Sequence, residues 1–504
     1  MTVHTLVWVL PLVPVATGLA MLAARGRRLC AALDVLGSSA VLGAVLLLVH
    51  AVSASGPLAA GPFRVDAVAV PFLLLVGLLA VATSIYTIGW MRDEVAHRGM
   101  PPRFVRTYYA LVHAFIATMI VTVEADNLGV LWIAMEGTTI TSAILVGFHG
   151  HQHGLEAAWK YIIVTTIGIS FGLFGTVLVF AAAAHAQGGA LAGAMSWSTV
   201  AGMASRLDPG IVRIGFIFVI VGYGTKAGLA PVHMWLPDAH SQAPTPVSAL
   251  LSGALIKCAL LGIIRFHTIA RGACGPELSG GLLILFGLVS VLVATPFILV
   301  QRDFKRLLGY HSVEHVGIIA LGLGFGGRVG TYAALLHVIN HGVTKALVFF
   351  VAGDAIRRSG SRDMHAIRGL LVVAPWAGTL LMLGALSLAG VPPFSIFVSE
   401  LLVVRAGIAG DHLFAVALLL LAVVVIFAGL LHHVGGMAFG SPPSQGPRSA
   451  SPVGHSPPPR TREREAAAPI AGMLVLAAIM LLLGLCIPPA VDRMLAAATE
   501  VILG

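Results

Sequence analysis

Charge is what this chain has least of. Only 10% of its 504 residues are Asp, Glu, Lys or Arg, against 58% hydrophobic, where a soluble domain carries about 25% charged residues. With a mean hydropathy of +0.96, no stretch is polar enough to cover a soluble domain, and the chain reads as an integral membrane protein. Cysteine is nearly as scarce. The four (Cys30, Cys258, Cys274 and Cys486) form no C-x-x-C pair and no Cys/His ligand spacing, so the sequence indicates no metal, haem or other cofactor. A secretory leader is missing too: residues 1–20 have no basic n-region and no A-x-A site, so the first apolar segment is expected to stay.

What is present is apolar length. Windows of about 20 apolar residues, enough to cross the hydrocarbon core, recur fourteen times, centred near residues 13, 42, 78, 116, 137, 171, 220, 255, 288, 316, 343, 385, 423 and 478. Irregular backbone cannot face lipid, and these windows are too long and too evenly apolar for barrel strands. The expected fold is an all-α membrane protein, a polytopic bundle of about fourteen transmembrane helices. Basic residues should crowd alternate loops on the cytoplasmic side. Eighteen do, after segments 1, 3, 9, 11 and 13, with Arg25 to Arg28 and Arg357 to Arg368 as examples. This predicts both termini outside the cytoplasm. The net charge of +9 then reads as a basic skirt facing anionic lipid rather than a nucleic-acid surface.

Five of the thirty basic residues are lysine, and four of those (Lys160, Lys226, Lys257 and Lys345) lie in or at the edge of apolar segments. Arginine does not lose its proton in a protein, whereas a buried lysine can release and rebind one. Glu136, Glu314 and Glu400 lie in segments 5, 10 and 12. At roughly 2.5 to 3.5 kcal/mol per charge at a helix centre, Lys226, Lys257, Lys345 and these acids would cost on the order of 15 to 20 kcal/mol unpaired. They must be paired, hydrated or neutral, and a series of such groups is what a proton path requires. His337 and His341, four apart, share a helix face with Lys345 beyond them. Lys160 reads as a snorkelling residue, and His149, His151 and His153 as solvated loop residues. Glu314 with His315 reads as a local pair or an auxiliary site.

Proline punctuates two segments. Pro231 interrupts segment 7 in GLAPVHMW, and Pro392 with Pro393 interrupts segment 12 in AGVPPFSIF. Five segments separate them, an odd number, so the two broken helices would run in opposite directions, as in inverted repeats with an ion site near the midplane. The expected organisation is 1–107 for segments 1 to 3, 108–268 for a first five-helix repeat, 278–437 for a second inverted repeat, 438–467 for a disordered Pro/Ser/Arg-rich cytoplasmic loop and 468–504 for segment 14.

The run GYGTKAGLAPVHMWLPDAHSQAPTPVSALLSGALIK, with LWIAMEG before it and FKRLLGYHSVEHVGI, LLHVINHGVTKALVFFVAGD and GVPPFSIFVSELL after it, resembles the antiporter-like membrane subunits of respiratory complex I, Mrp-type cation/proton antiporters and membrane-bound hydrogenases. The resemblance covers segments 3 to 13. In detail, LPDAHSQAPTPVSALLSGALIKCA and SVEHVGI are most similar to membrane component F of hydrogenase-4-type complexes. The resemblance implies that Glu136 pairs with Lys226 and tunes it, that Lys257 is the central proton carrier, and that His337, His341 and Lys345 relay charge to Glu400, the terminal exchanger. It places His233 and His240 beside Asp238 where protons enter from the cytoplasm. Ser252 departs from the histidine of the largest complex I antiporter-like subunits, Glu400 from their lysine, and His311 from the usual serine. The implied partners are other membrane and peripheral subunits of a hydrogenase or complex I-like assembly, which would hold the redox centres. The implied cargo is protons, with sodium as the other ion. An Mrp-type antiporter or a proton-coupled bicarbonate-uptake complex is the alternative setting.

Overall fold

A computed structural model describes residues 3–441 and 467–504. The predicted loop at 438–467 falls almost wholly outside the described residues.

Each of the fourteen apolar centres lies inside a helix. The chain opens with α1 (Val3–Ala23) and α2 (Arg27–Ser55), then a short antiparallel hairpin of β1 (Leu58–Ala60) and β2 (Phe63–Val65). There follow α3 (Ala69–Arg98), α4 (Pro102–Glu124), α5 (Leu128–Val146), α6 (Gln152–Ala186), the short α7 (Trp197–Gly202) and α8 (Pro209–Ala227). Next come α9 (Trp235–Gln242), α10 (Thr245–Leu250), α11 (Ile256–Cys274), α12 (Pro276–Val300), α13 (Phe304–Phe325) and α14 (Gly327–Ser359). The remainder is α15 (Leu370–Val373), α16 (Pro375–Leu388), α17 (Ser395–Ala409), α18 (Leu413–Phe439), α19 (Ala467–Leu485) and α20 (Pro489–Leu503). Eleven of the described helical spans are long and apolar enough to cross a membrane, twelve if the bent pair α19 and α20 counts as one.

Helix starts follow local chemistry. Asn127, Asp208 and Asp303 cap α5, α8 and α13 by accepting from backbone N–H groups one turn in. His151 does the same for α6, its Nδ1 accepting from Gly154 N at 2.8 Å. His149 bonds Glu94 at 3.3 Å and is half-buried, whereas His151 and His153 are exposed, the solvated loop residues the sequence suggested.

Both predicted interruptions are present, and glycine makes the stop in each. After α8, Gly228 takes the left-handed conformation (φ 85°) and Leu229 N bonds Gly224 O at 2.8 Å. After α16, Gly390 does so (φ 62°) and Val391 N bonds Leu386 O at 3.1 Å. These are Schellman-type ends. The prolines keep either helix from resuming at once, so the chain runs unwound over residues 229–234 and 391–394. A third irregularity contains no proline: Leu251–Leu255, between α10 and α11, is a π-helical turn. The predicted last segment, 468–504, is two helices rather than one: residues 489–503 form α20, bent 73° from α19. Tyr332 bonds Asp492 at 2.7 Å and Arg328 bonds Glu500 at 2.9 Å, tying α20 to the start of α14.

The core lies along two helices. The apolar window of the α10–α11 span is 100% buried and that of α14 94% buried, against 33% for α12. Around them helices meet through small residues, as membrane packing favours: a Cβ on Gly222 of α8 would strike the backbone of Gly172 in α6. A buried bidentate bond fastens one end of the bundle, with Arg265 Nη1 and Nη2 donating to Asp66 at 2.5 and 2.9 Å while the guanidinium stacks 3.9 Å from the Trp197 ring.

Candidate functional site

Lys257 and Lys345 sit on the two most buried spans, and Lys226 at the end of α8. Lys226 and Lys345 are 0% exposed and Lys257 1%, and each is satisfied differently. Lys226, in the last turn of α8, donates to Thr139 Oγ1 at 2.8 Å and to the Tyr161 hydroxyl at 2.5 Å, with its ammonium 4.6 Å from the Tyr161 ring centre. Tyr161 in turn shares a 2.7 Å bond with Ser142, which donates to Thr138 O. Glu136 does not meet Lys226 directly. Its Oε1 accepts from Thr166 at 2.8 Å and its Oε2 from Thr139 at 3.3 Å, so the expected ion pair is joined through the Thr139 hydroxyl. The reason is helical phase: Thr139 stands three residues after Glu136 on the same face of α5 and reaches between the two groups.

Lys257 reaches back five residues and donates to Ser252 O at 2.5 Å. An α-helix would hold that carbonyl in a bond from residue 256, but Ser252 lies in the π-helical turn, where the ladder is displaced. The Ser252 hydroxyl bonds Ser312 Oγ at 2.8 Å, Ser312 Oγ donates to Leu308 O at 3.1 Å, and Lys345 Nζ donates to that same Leu308 carbonyl. Lys257 of α11 and Lys345 of α14 are therefore linked across α13 by two serine hydroxyls and two carbonyls. Ser252, a departure from histidine in sequence, is one of the residues that join them.

Beyond Lys345 the site is imidazole. His315 Nδ1 and His337 Nε2 share a 3.1 Å bond, and His337 Nδ1 bonds Ser399 Oγ at 2.9 Å. Asn340 Nδ2 donates to Ser399 Oγ at 3.2 Å and to Ser395 O at 2.6 Å. The His341 ring centre lies 4.7 Å from that of His315, and Glu400 Oε1 lies 3.8 Å from His315 Nδ1. Neither ring nitrogen of His341 or of the buried His240 bonds a protein group. Glu314 and His315 are not the local pair their adjacency suggested. Neighbouring residues on a helix point apart, whereas residues three apart meet, so Glu314 bonds His311 Nδ1 at 2.8 Å and His315 turns to His337. His311 thereby gains a partner that the sequence did not show.

The expected mouth is divided. Asp238 lies at the surface, 3.7 Å from Lys160 and 3.2 Å from Arg306, and Lys160 also bonds Glu156 at 2.6 Å. His240, two residues further along α9, is 0% exposed, with its ring centre 5.2 Å from that of Phe349. Residues two apart on a helix face different ways, so Asp238 and His240 are not side by side. His233 is 7% exposed, in the unwound stretch after Pro231, with its ring centre 6.4 Å from that of Tyr310. At the second break Glu400 packs on Gly390, where a Cβ would strike its Oε2. Apart from the central groups, Asp34 of α2 bonds His113 of α4 at 3.0 Å, both buried. Sequence reasoning missed that pair, along with Thr139, Tyr161, Thr166, Ser312, Asn340 and Ser399. Single hydroxyls and amides in an apolar helix carry no spacing signal.

The family profile described as NADH:quinone oxidoreductase/Mrp antiporter, TM, matches residues 125–426, which hold every buried lysine and Glu400. The Hydrogenase-4 component F homolog of Methylacidiphilum infernorum (isolate V4) is 36% identical over 380 residues, covering 75% of this chain and 79% of that protein. Hydrogenase-4 component B of Escherichia coli (strain K12) is 29% identical over 349 residues, and the match spans only 49% of that longer protein. Among solved structures, a chain of the Mrp complex from Dietzia sp. DQ12-45-1b superposes with a TM-score of 0.84 at 22% identity, covering 100% of both chains, a likeness of fold. With a matched core that carries lysines, imidazoles and a carboxylate on its central and broken helices, the chain belongs to the NADH:quinone oxidoreductase/Mrp antiporter membrane family, as an antiporter-like subunit.

Proposed function

We propose that the chain translocates protons as one subunit of a multi-subunit membrane oxidoreductase of the hydrogenase-4, formate-hydrogenlyase or complex I type. The observation that carries this reading is the link from Lys257 through Ser252, Ser312 and Leu308 O to Lys345. An amine at each end can give up or take a proton. The Ser252 and Leu308 carbonyls that hold the amines only accept, so transfer requires each amine to swing from its carbonyl to the Ser252 and Ser312 hydroxyls or to water beside them. Glu136 and Lys226 form the input group on one side, and His315, His337, His341 and Glu400 the output group on the other. A charge change imposed on Glu136 by a neighbouring subunit would alter Lys226 and, through it, the proton affinity of Lys257. At an effective dielectric of about 20, charges roughly 7 Å apart interact by about 2.4 kcal/mol, enough to load or empty a site.

In this reading the bundle crosses the membrane fourteen times. The helices α13 and α16 with α17 supply the spans that fall short on length or apolarity, and both termini lie outside the cytoplasm. Residues 108–268 and 278–437 are inverted repeats. In support, Ala227-Gly228-Leu229-Ala230-Pro231 and Ala389-Gly390-Val391-Pro392-Pro393 share one pattern, with left-handed glycine at the same place. Amine and imidazole donors favour protons over sodium, which prefers oxygen ligands.

The test is proton uptake in inverted vesicles or proteoliposomes holding the assembled complex. Lys257→Arg keeps the charge but does not release a proton at physiological pH. It is expected to abolish uptake as completely as Lys257→Ala, and Glu400→Gln to do the same. Normal uptake in Lys257→Arg would refute the carrier role. Subunits that co-purify with the chain identify the assembly: iron-sulfur and nickel-iron hydrogenase-like partners support this reading, small Mrp-type subunits the antiporter alternative.

A further inference from the structure

Three metal-binding side chains converge in the output group from three helices. His315 of α13, His337 of α14 and Glu400 of α17 have ligand atoms that all lie within 4.8 Å of one another. His315 Nδ1 is 3.1 Å from His337 Nε2 and 3.8 Å from Glu400 Oε1. In a tetrahedral zinc site with bonds of about 2.0–2.1 Å, neighbouring ligand atoms stand about 3.3–3.4 Å apart. The two measured separations bracket that value, so small side-chain shifts complete the geometry.

The surroundings hold the donors in the form a metal needs. Ser399 Oγ donates to Ile396 O at 2.9 Å, so it accepts from His337 Nδ1–H. That fixes the His337 tautomer and leaves the Nε2 lone pair turned to His315, the arrangement seen where an outer partner orients a ligating histidine. Asn340 donates to the same hydroxyl. His315 Nε2 bonds no protein group, so His315 can carry its proton there and present Nδ1. Access exists on one side: the Glu400 side chain is 14% exposed, while the two imidazoles are fully buried. Two imidazoles and one carboxylate suit a borderline divalent ion of the zinc class, and they are a poor set for sodium, calcium or magnesium.

We propose that His315, His337 and Glu400 form a site for a zinc-class divalent ion, whose occupancy blocks the path at Glu400. The blocking half rests on the proton-transfer reading; the binding half does not. The probe is Zn2+ added to the purified complex carrying no polyhistidine tag, with bound metal counted by mass spectrometry and affinity measured by chelator competition. Wild type is expected to hold one tight ion. His337→Ala and Glu400→Gln should each weaken it by about a hundredfold or more, and Ser399→Ala by about tenfold through the freed imidazole. A loop variant, His149→Ala with His153→Ala, should keep it. Unchanged affinity in Glu400→Gln and Ser399→Ala overturns the proposal, as does loss of all binding in the loop variant. Should His337→Ala fail to fold, Ser399→Ala decides. Zn2+ should also inhibit proton uptake, needing about tenfold more metal in Ser399→Ala, each rate taken relative to the same variant without metal. Metal bound as expected with full uptake in Glu400→Gln would leave this site standing and sink the proton path instead.

Discussion

Lys226 is held by hydroxyls rather than by a carboxylate. Its two short bonds, to Thr139 and Tyr161, satisfy an ammonium or an amine alike, because a hydroxyl can turn to accept or donate. A direct Glu136 contact would hold the lysine charged. Tyr161→Phe removes one acceptor and unseats Ser142. It is expected to lower stability by about 1–3 kcal/mol, the range for an unmade buried bond, read as an earlier thermal transition of the detergent-solubilised protein. The Ser252 and Ser312 pair makes a sharper prediction. Ser312→Ala should slow proton uptake by about tenfold, a barrier increase of about 1.4 kcal/mol, while Ser312→Thr, which keeps the hydroxyl, should restore it. Equal uptake in the two variants would show that the link between Lys257 and Lys345 carries nothing. Ser399, held by Asn340, fixes which nitrogen of His337 faces His315.

Elements matter here mainly where they fail to be regular. The two Schellman ends at Gly228 and Gly390 stop α8 and α16 and open an unwound stretch in each. Gly390 has a second duty, since its missing side chain leaves room for Glu400. Gly390→Ala therefore meets both a left-handed backbone, which disfavours a Cβ by about 1–2 kcal/mol, and a displaced carboxylate. The expected result is a loss of stability of that order together with impaired proton uptake. Gly435→Ala in α18 is the control: nothing lies within 4 Å of its new Cβ, so stability should hold or rise by up to about 1 kcal/mol. The π-helical turn at Leu251–Leu255 breaks regularity without a left-handed glycine or a proline of its own, and its Ser252 carbonyl accepts from Lys257.

At the scale of the whole molecule, the two most buried spans, α10–α11 and α14, carry Lys257 and Lys345, and the partly exposed α5 and α17 bring Glu136 and Glu400 to the ends of the row. Orientation in the bilayer is testable through a native residue. Cys486 is exposed at the bend between α19 and α20. In a Cys274→Ser background it should react with a membrane-impermeant maleimide added outside intact cells. Labelling only after the membrane is opened would invert the proposed topology. Because α20 is tied to α14 by Tyr332–Asp492 and Arg328–Glu500, Asp492→Ala with Glu500→Ala should loosen that end with little effect on uptake. Each exposed bond is worth about 0–1 kcal/mol, to be read from protease sensitivity of residues 489–503.

The sequence by itself determined the solvent, the helices and which titratable residues lie within them. Low charge and long apolar windows allow only helices in lipid, proline and glycine mark both breaks, and scarce lysines and glutamates name the titratable groups. What it did not determine is which groups meet. In water the polar and apolar sides of a helix tell which face is inside, but in lipid both faces are apolar. On α5, Ile133, Ile140 and Ile144 face outward while Met135, Ala143 and Leu145 are buried, and hydropathy does not separate the two sets. Only packing turned Thr139 between Glu136 and Lys226, set Ser252 against Ser312, and brought His315, His337 and Glu400 together from three helices. Within one helix, spacing fixes neighbours three or four residues apart, whereas contacts between helices arise from the close approach of the whole bundle.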